Sequence, residues 1–218
     1  MAAATGCGPA TGDGKQTVAA RPPLATPRTP GGAASRTQGS PSKPMAKAEL
    51  DALLLTTSEL GANYSEVPAE SGGGDDNVGL QGCPELSKMF ATSFAAQTAR
   101  AFQYGYDSSS QVTETLFSDS PSRLSTVLGG AVRAMSSCRS FTFTSGTTPV
   151  QATVSQVHVP QLGDEQFGMT VTMVGPARTI VIEEEFVRMG SVAVSLTGAP
   201  GLVDNHLSQA AGKVRRHL

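Results

Sequence analysis

The sequence predicts an α+β fold: a mostly antiparallel sheet with flanking helices, preceded by a disordered N-terminal tether. Three observations carry this expectation. Between Phe141 and Leu196, apolar residues recur at every second position in successive runs separated by short turns. Two segments, one after Ser120 and one after Pro200, instead place apolar residues three and four apart, the helical spacing. Before Met45 the chain is rich in Pro, Gly, Ala, Ser and Thr, with almost nothing large to bury.

Residues 1–7 end in a cysteine, Cys7, and residues 8–44 form the expected tether. Val18 and Leu24 are nearly its only large apolar side chains, too few to offset the entropy of ordering it. As a flexible chain it would average roughly 33 Å end to end. The composition changes at Met45, and residues 45–218 read as one folded domain. "MAKAELDALLLTTSELG" carries a short helical pattern or apolar run, closing in a turn at Ser58-Glu59-Leu60-Gly61. "ANYSEV" reads as a brief strand stopped by Pro68, and "PAESGGGDDNVG" as a loop.

"CPELSKMFATSF" reads as a short helix with Pro84 in its first turn, where proline is tolerated. In "AAQTARAFQYGY", strand spacing puts Ala96, Thr98, Arg100, Phe102 and Tyr104 on one face, with a helix as the alternative. "SQVTETLF" alternates more clearly, with Val112, Glu114 and Leu116 together. Ser120 is the expected N-cap of the next helix, and Pro121 its first residue. Leu124, Val127, Leu128, Ala131, Val132 and Met135 form its apolar stripe, which runs on to Cys138. Gly129-Gly130 inside it costs about 1 kcal/mol per glycine, which predicts close packing against a sheet there.

Five strand candidates follow: "FTFT", "VQATVSQVHV", "FGMTVTMV", "TIVIEEEFVRMG" and "SVAVSL". "PQLGDEQ", "GPA" and Gly190 turn the chain between the later ones, so those strands are antiparallel. Val203, Leu207, Ala210, Ala211, Val214 and Leu218 make a closing helical stripe, with Arg215 and Arg216 at its C-terminal end.

The net charge of -2 conceals an asymmetry. Lys15, Arg21, Arg28, Arg36 and Lys43 lie in the tether beside a single acid, Asp13, which leaves the domain net acidic. An acidic domain is a poor match for phosphate backbones, so no nucleic acid is expected as partner. No stretch is apolar for long enough to span a bilayer as a helix.

Cys83 opens one expected helix and Cys138 closes the other. If both helices pack on the sheet the thiols can meet, and a bridge there stabilises by about 4 kcal/mol in the chain-entropy picture. Two buried reduced cysteines fit the spacing equally well. Ala4-Thr5-Gly6-Cys7 is similar to the end of a bacterial lipoprotein signal peptide, where small residues precede a cysteine that takes a diacylglycerol. Ala4 stands where leucine is usual, and the charged and apolar regions of such a peptide are not in the sequence. The reading places Cys7 as a lipid anchor holding the domain on the extracytoplasmic face of the cell membrane, an oxidising setting that favours the bridge.

Several segments carry a wider resemblance: "LLLTTSELG", "GCPEL", "SQVTETLFSDSPSRLSTVLGGAVRAMSSCRSF", "LGDEQF" and "EEEFVRMGSVAVSLTG". Together they resemble the extracytoplasmic sensor domain of actinobacterial receptor kinases, the PknH-like family, over most of residues 53–218. The resemblance implies a sheet flanked by helices, a cleft, and an intramolecular Cys83–Cys138 disulfide. It also implies a sensing module without an output domain, since no kinase segments are present.

Catalytic signatures are sparse. His158, His206 and His217 lack metal-ligand spacing with cysteine or carboxylate, so they read as structural or solvated. Glu183-Glu184-Glu185 reads as a solvated or edge-protecting charge run, with Glu183 and Glu185 on one face and Glu184 on the other. If Glu184 faces inward it becomes a cleft candidate, with Arg188 on its face as a partner. "SGGGDDN" lacks both the Walker lysine and the alternating oxygen ligands of a calcium loop. No Gly-x-Ser-x-Gly elbow is present. Phe102 and Tyr104, with Tyr106, complete the ligand-cleft candidates. No catalytic residue, metal or cofactor is expected. The function expected is lipid-anchored sensing of a small ligand or cell-envelope component, with docking of another envelope protein as the alternative and an unrecognised enzyme as the second alternative.

Overall fold

A computed structural model describes residues 43–69, 81–85, 92–107, 109–145, 148–176 and 178–218. Cys7, nearly all of the expected tether, the Gly/Asp loop at 70–80 and the middle half of the helix expected from Cys83 lie outside them. The described elements run α1 (Lys47–Leu53), α2 (Thr57–Leu60), β1 (Tyr64–Val67), β2 (Ala96–Tyr104), β3 (Gln111–Ser118) and α3 (Pro121–Ser137), then β4 (Ser140–Ser145) and β5 (Thr148–Val157). They finish with β6 (Glu165–Val174), β7 (Thr179–Met189), β8 (Val192–Gly198) and α4 (Pro200–Arg215).

The eight strands form one sheet in the order β1-β2-β3-β8-β7-β6-β5-β4. Every neighbouring pair is antiparallel. The last strand therefore lies between β3 and β7. Its composition suits a central place: Val192, Val194 and Leu196 are buried on one face, and Ser195 on the other. Gly190, at φ 59, lets β7 turn into β8 with Met189 opposite Val192.

Local chemistry sets the helix starts. The Ser120 hydroxyl accepts the Arg123 amide, and Pro121 follows it. The turn expected at residues 58–61 is a single helical turn, α2. Thr56 and Glu59 cap it reciprocally: the threonine hydroxyl accepts the Glu59 amide and the Glu59 carboxylate accepts the Thr56 amide.

The two faces of the sheet are covered by different helices. On one, Leu50 and Leu53 of α1 and Val203, Leu207, Ala210, Ala211 and Val214 of α4 join Phe102, Val112, Leu116, Val187, Val194 and Leu196 in the main core. On the other, Met135 of α3 packs with Val154, Phe167 and Met169. Cys83 and Cys138 belong to this second cluster and are bonded, with their Cα atoms 5.7 Å apart. The bond ties the connection between β1 and β2 to the C-cap of α3.

One packing expectation is overturned. Gly129 and Gly130 do not face the sheet: a Cβ at Gly130 would meet nothing, and one at Gly129 only the end of the Arg133 side chain. Close approaches occur instead at Gly163, Gly168 and, tightest of the three, Gly198, where a Cβ would fall 2.1 Å from the Gln111 carbonyl oxygen.

Candidate functional site

The four cleft candidates do not share a cleft, because the sheet separates them. Phe102 is 1% exposed in the main core. Tyr104 lies on the same face at the outer end of β2, half exposed, its ring 5.1 Å from that of Tyr64. The Tyr64 hydroxyl is in turn 2.5 Å from Nε2 of His206, so this histidine is a buried structural partner. Tyr106 is fully exposed. Glu184 and Arg188 project from the opposite face, since strand neighbours alternate and Glu183, Glu185 and Val187 take the α4 side.

Arg188 does not pair with Glu184. Four residues along one strand separate them by about 13 Å. Glu165 stands directly opposite Arg188 in register, and Nε of the arginine donates to its carboxylate at 3.0 Å. Nη1 donates to Asp164 at 3.1 Å and to the Gly190 carbonyl at 3.0 Å. Glu165 also accepts from the Ser125 hydroxyl of α3. Arg188 is thus a clamp between the β6 entry, the β7–β8 turn and, through Glu165, α3.

Glu184 keeps its carboxyl on the α3 side, opposite Thr197. Burial pushes its pKa up to about 7, against hydrogen bonds from Thr197 and Ser195 that favour the ionised form. On the same side of the molecule, α3 borders a surface depression of about 390 Å³. Val127, Gly130, Arg133, Ala134 and Ser137 of α3 line it, with Glu85 and Thr92. The bare backbone at Gly130 leaves this space open, which accounts for a glycine that packs against nothing. Glu184 is not among the lining residues.

The expectation of a solvated or edge-protecting acidic run is also overturned. Glu183 and Glu185 are 4% and 2% exposed, beneath α4, rather than solvated at an edge. Their carboxylate oxygens and that of exposed Asp204 lie within 4.8 Å of one another. Burial, then the nearby Asp204 charge, raises Glu183. Glu185 is pushed up to about 7 by burial, then by Glu183 and Asp204. The sequence did carry a signal here, because Glu183 and Glu185 continue the inward register of Val187 and Met189. Asp204 needed the fold, since only the packing of α4 on β7 brings it to them.

No histidine is bonded to a serine, threonine or cysteine nucleophile among the described residues. His206 meets Tyr64 and Gln209, and His217 meets the Lys213 carbonyl. No described helix is long and apolar enough to cross a membrane.

No protein-family model matches the chain, and no curated protein matches it either. The fold, however, is known. The extracellular domain of PknH from Mycobacterium tuberculosis superposes with a TM-score of 0.63, over 81% of this chain and 100% of its own length. The two share 14% sequence identity, so the likeness is one of fold: this chain has the architecture of the PknH extracellular domain.

Proposed function

We infer that this protein is a non-catalytic binding module of the sensor type, working on the extracytoplasmic face and anchored there by a lipid on Cys7. The observation that carries the reading is the shared fold with an extracellular domain across the whole length of that domain. The Cys83–Cys138 bond agrees with an oxidising compartment. A ligand of modest size would enter the depression beside α3, whose lining combines Arg133 and Glu85, the hydroxyl-bearing Thr92 and Ser137, and the apolar Val127 and Ala134. That mixture, with one group of each charge sign, suits a small polar envelope component better than a purely apolar one. Docking of another envelope protein remains the second reading, favoured by the fully exposed Tyr106 beside half-exposed Tyr104.

The anchor is tested in the native host, from the chromosomal gene, with a clickable fatty acid. Labelled protein in the membrane fraction, lost on Cys7→Ser, is the expected result. An unlabelled wild-type protein in the soluble fraction overturns the anchoring.

A further inference from the structure

We propose that Glu183, Glu185 and Asp204 form a binding site for a hard divalent cation of calcium size, set between β7 and the second turn of α4. The first observation is geometric. Three carboxylates from two elements bring one oxygen each within 4.8 Å of the others. Two oxygens on opposite sides of a calcium ion stand at most about 5 Å apart, so one ion reaches all three without rearrangement.

The second observation concerns what Glu183 and Glu185 lack. Both are more than nine-tenths buried, yet no described residue donates a hydrogen bond to either and no Lys or Arg pairs with either. Other carboxylates on the sheet each receive at least one donor: Glu114 the Leu55 amide on one oxygen, Glu165 Arg188 and Ser125, Glu184 Ser195 and Thr197. Cross-strand neighbours explain the difference. Glu185 stands between Gly168 and Leu196, and Glu183 has Gly198 on one side, so three of the four flanking positions carry no side-chain donor. Two carboxylates with no donor, set beneath a third, repel one another and are pushed toward their neutral forms. A divalent cation supplies the missing charge to all three groups at once.

Ligand chemistry selects the ion class. An all-carboxylate set without His or Cys suits hard cations, and the exposed side at Asp204 admits the ion and the waters that complete its shell. The site does not depend on the ligand-sensing reading above, and it lies on the opposite face of the sheet from the depression beside α3.

The test uses the full chain, stripped with chelator and returned to chelator-free buffer at neutral pH, with CaCl2 or MnCl2 as the only probe. Calcium is expected to raise Tm reversibly, with half-effect in the range of about 0.1–1 mM found for extracellular modules. Asp204→Asn, an exposed change that keeps the fold, is expected to weaken binding by about tenfold or more, and Glu185→Gln to abolish it. Neither heat of binding nor a Tm shift with either ion overturns the proposal. So does an equal shift in NaCl of matched ionic strength, or a wild-type response in Asp204→Asn.

Discussion

Glu114 shows what a single buried residue does to this fold. It is 1% exposed, and one of its oxygens accepts the Leu55 amide at 2.6 Å while the other has no partner. The cations that could neutralise it are spent on the backbone next door. Arg100 donates to the Leu55 carbonyl, and Lys213 to the Leu54 carbonyl and the Glu59 carboxylate. Burial therefore wins over the Leu55 bond and over Lys213 and Arg100, and with Glu59 adding repulsion the pKa is pushed up to about 7. The sign follows directly. The folded state holds this proton more tightly than the unfolded state, whose carboxyl titrates near its model value of 4.5. Glu114's contribution is thus most favourable below the unfolded value, declines as pH rises from there to about 7, and is level above it. Glu114→Gln should remove this dependence. Urea unfolding at either end of that window should show the variant gaining on wild type by about 3 kcal/mol as pH rises. An unchanged difference would mean the carboxyl is ionised throughout.

At the scale of elements, the apolar spacing was a reliable guide to what each segment becomes and a poor guide to what it touches. The alternation in "TIVIEEEFVRMG" and the stripe from Leu124 to Met135 correspond directly to β7 and α3. The stripe does not say which sequence position opposes which, so the Arg188–Glu165 pair, created by the β6–β7 register, was not readable from spacing along β7 alone. Likewise the Thr56/Glu59 box was visible as residues but was read as a turn, because one helical turn is too short to show a period. Gly130 was read as a packing glycine, yet its space is open. Gly130→Ala should therefore stabilise the protein by about 0.5–1 kcal/mol, the helix-propensity gain, with no offsetting clash. Chemical denaturation measures it, and a loss of stability would show that the bare backbone is needed where it stands.

The whole molecule is organised by the late arrival of β8 at the centre of the sheet. Its pairing with β3 encloses α3 and β4–β7 as one long excursion, and no local pattern announces such a connection. The sequence marked "SVAVSL" as a strand; in the fold it carries buried residues on both faces, the mark of a central position. The candidate sites divide along the same line. The depression beside α3 depends on residues brought together from distant parts of the chain, and the carboxylate cluster depends on α4 lying across β7. The depression has no signature in spacing, and of the cluster only the shared face of Glu183 and Glu185 does. The Cys83–Cys138 bond was compatible with the spacing and implied only by resemblance; in the fold it closes the segment before β2 onto the end of α3.

The proposed placement of this protein outside the cytoplasm is tested most directly by the state of those two thiols in the living cell. Cells of the native host are quenched in acid and alkylated with a mass-shifting maleimide, with and without prior reduction. If that placement holds, Cys83 and Cys138 stay unmodified until reductant is added and then both react. Two thiols that react fully before reduction would contradict it.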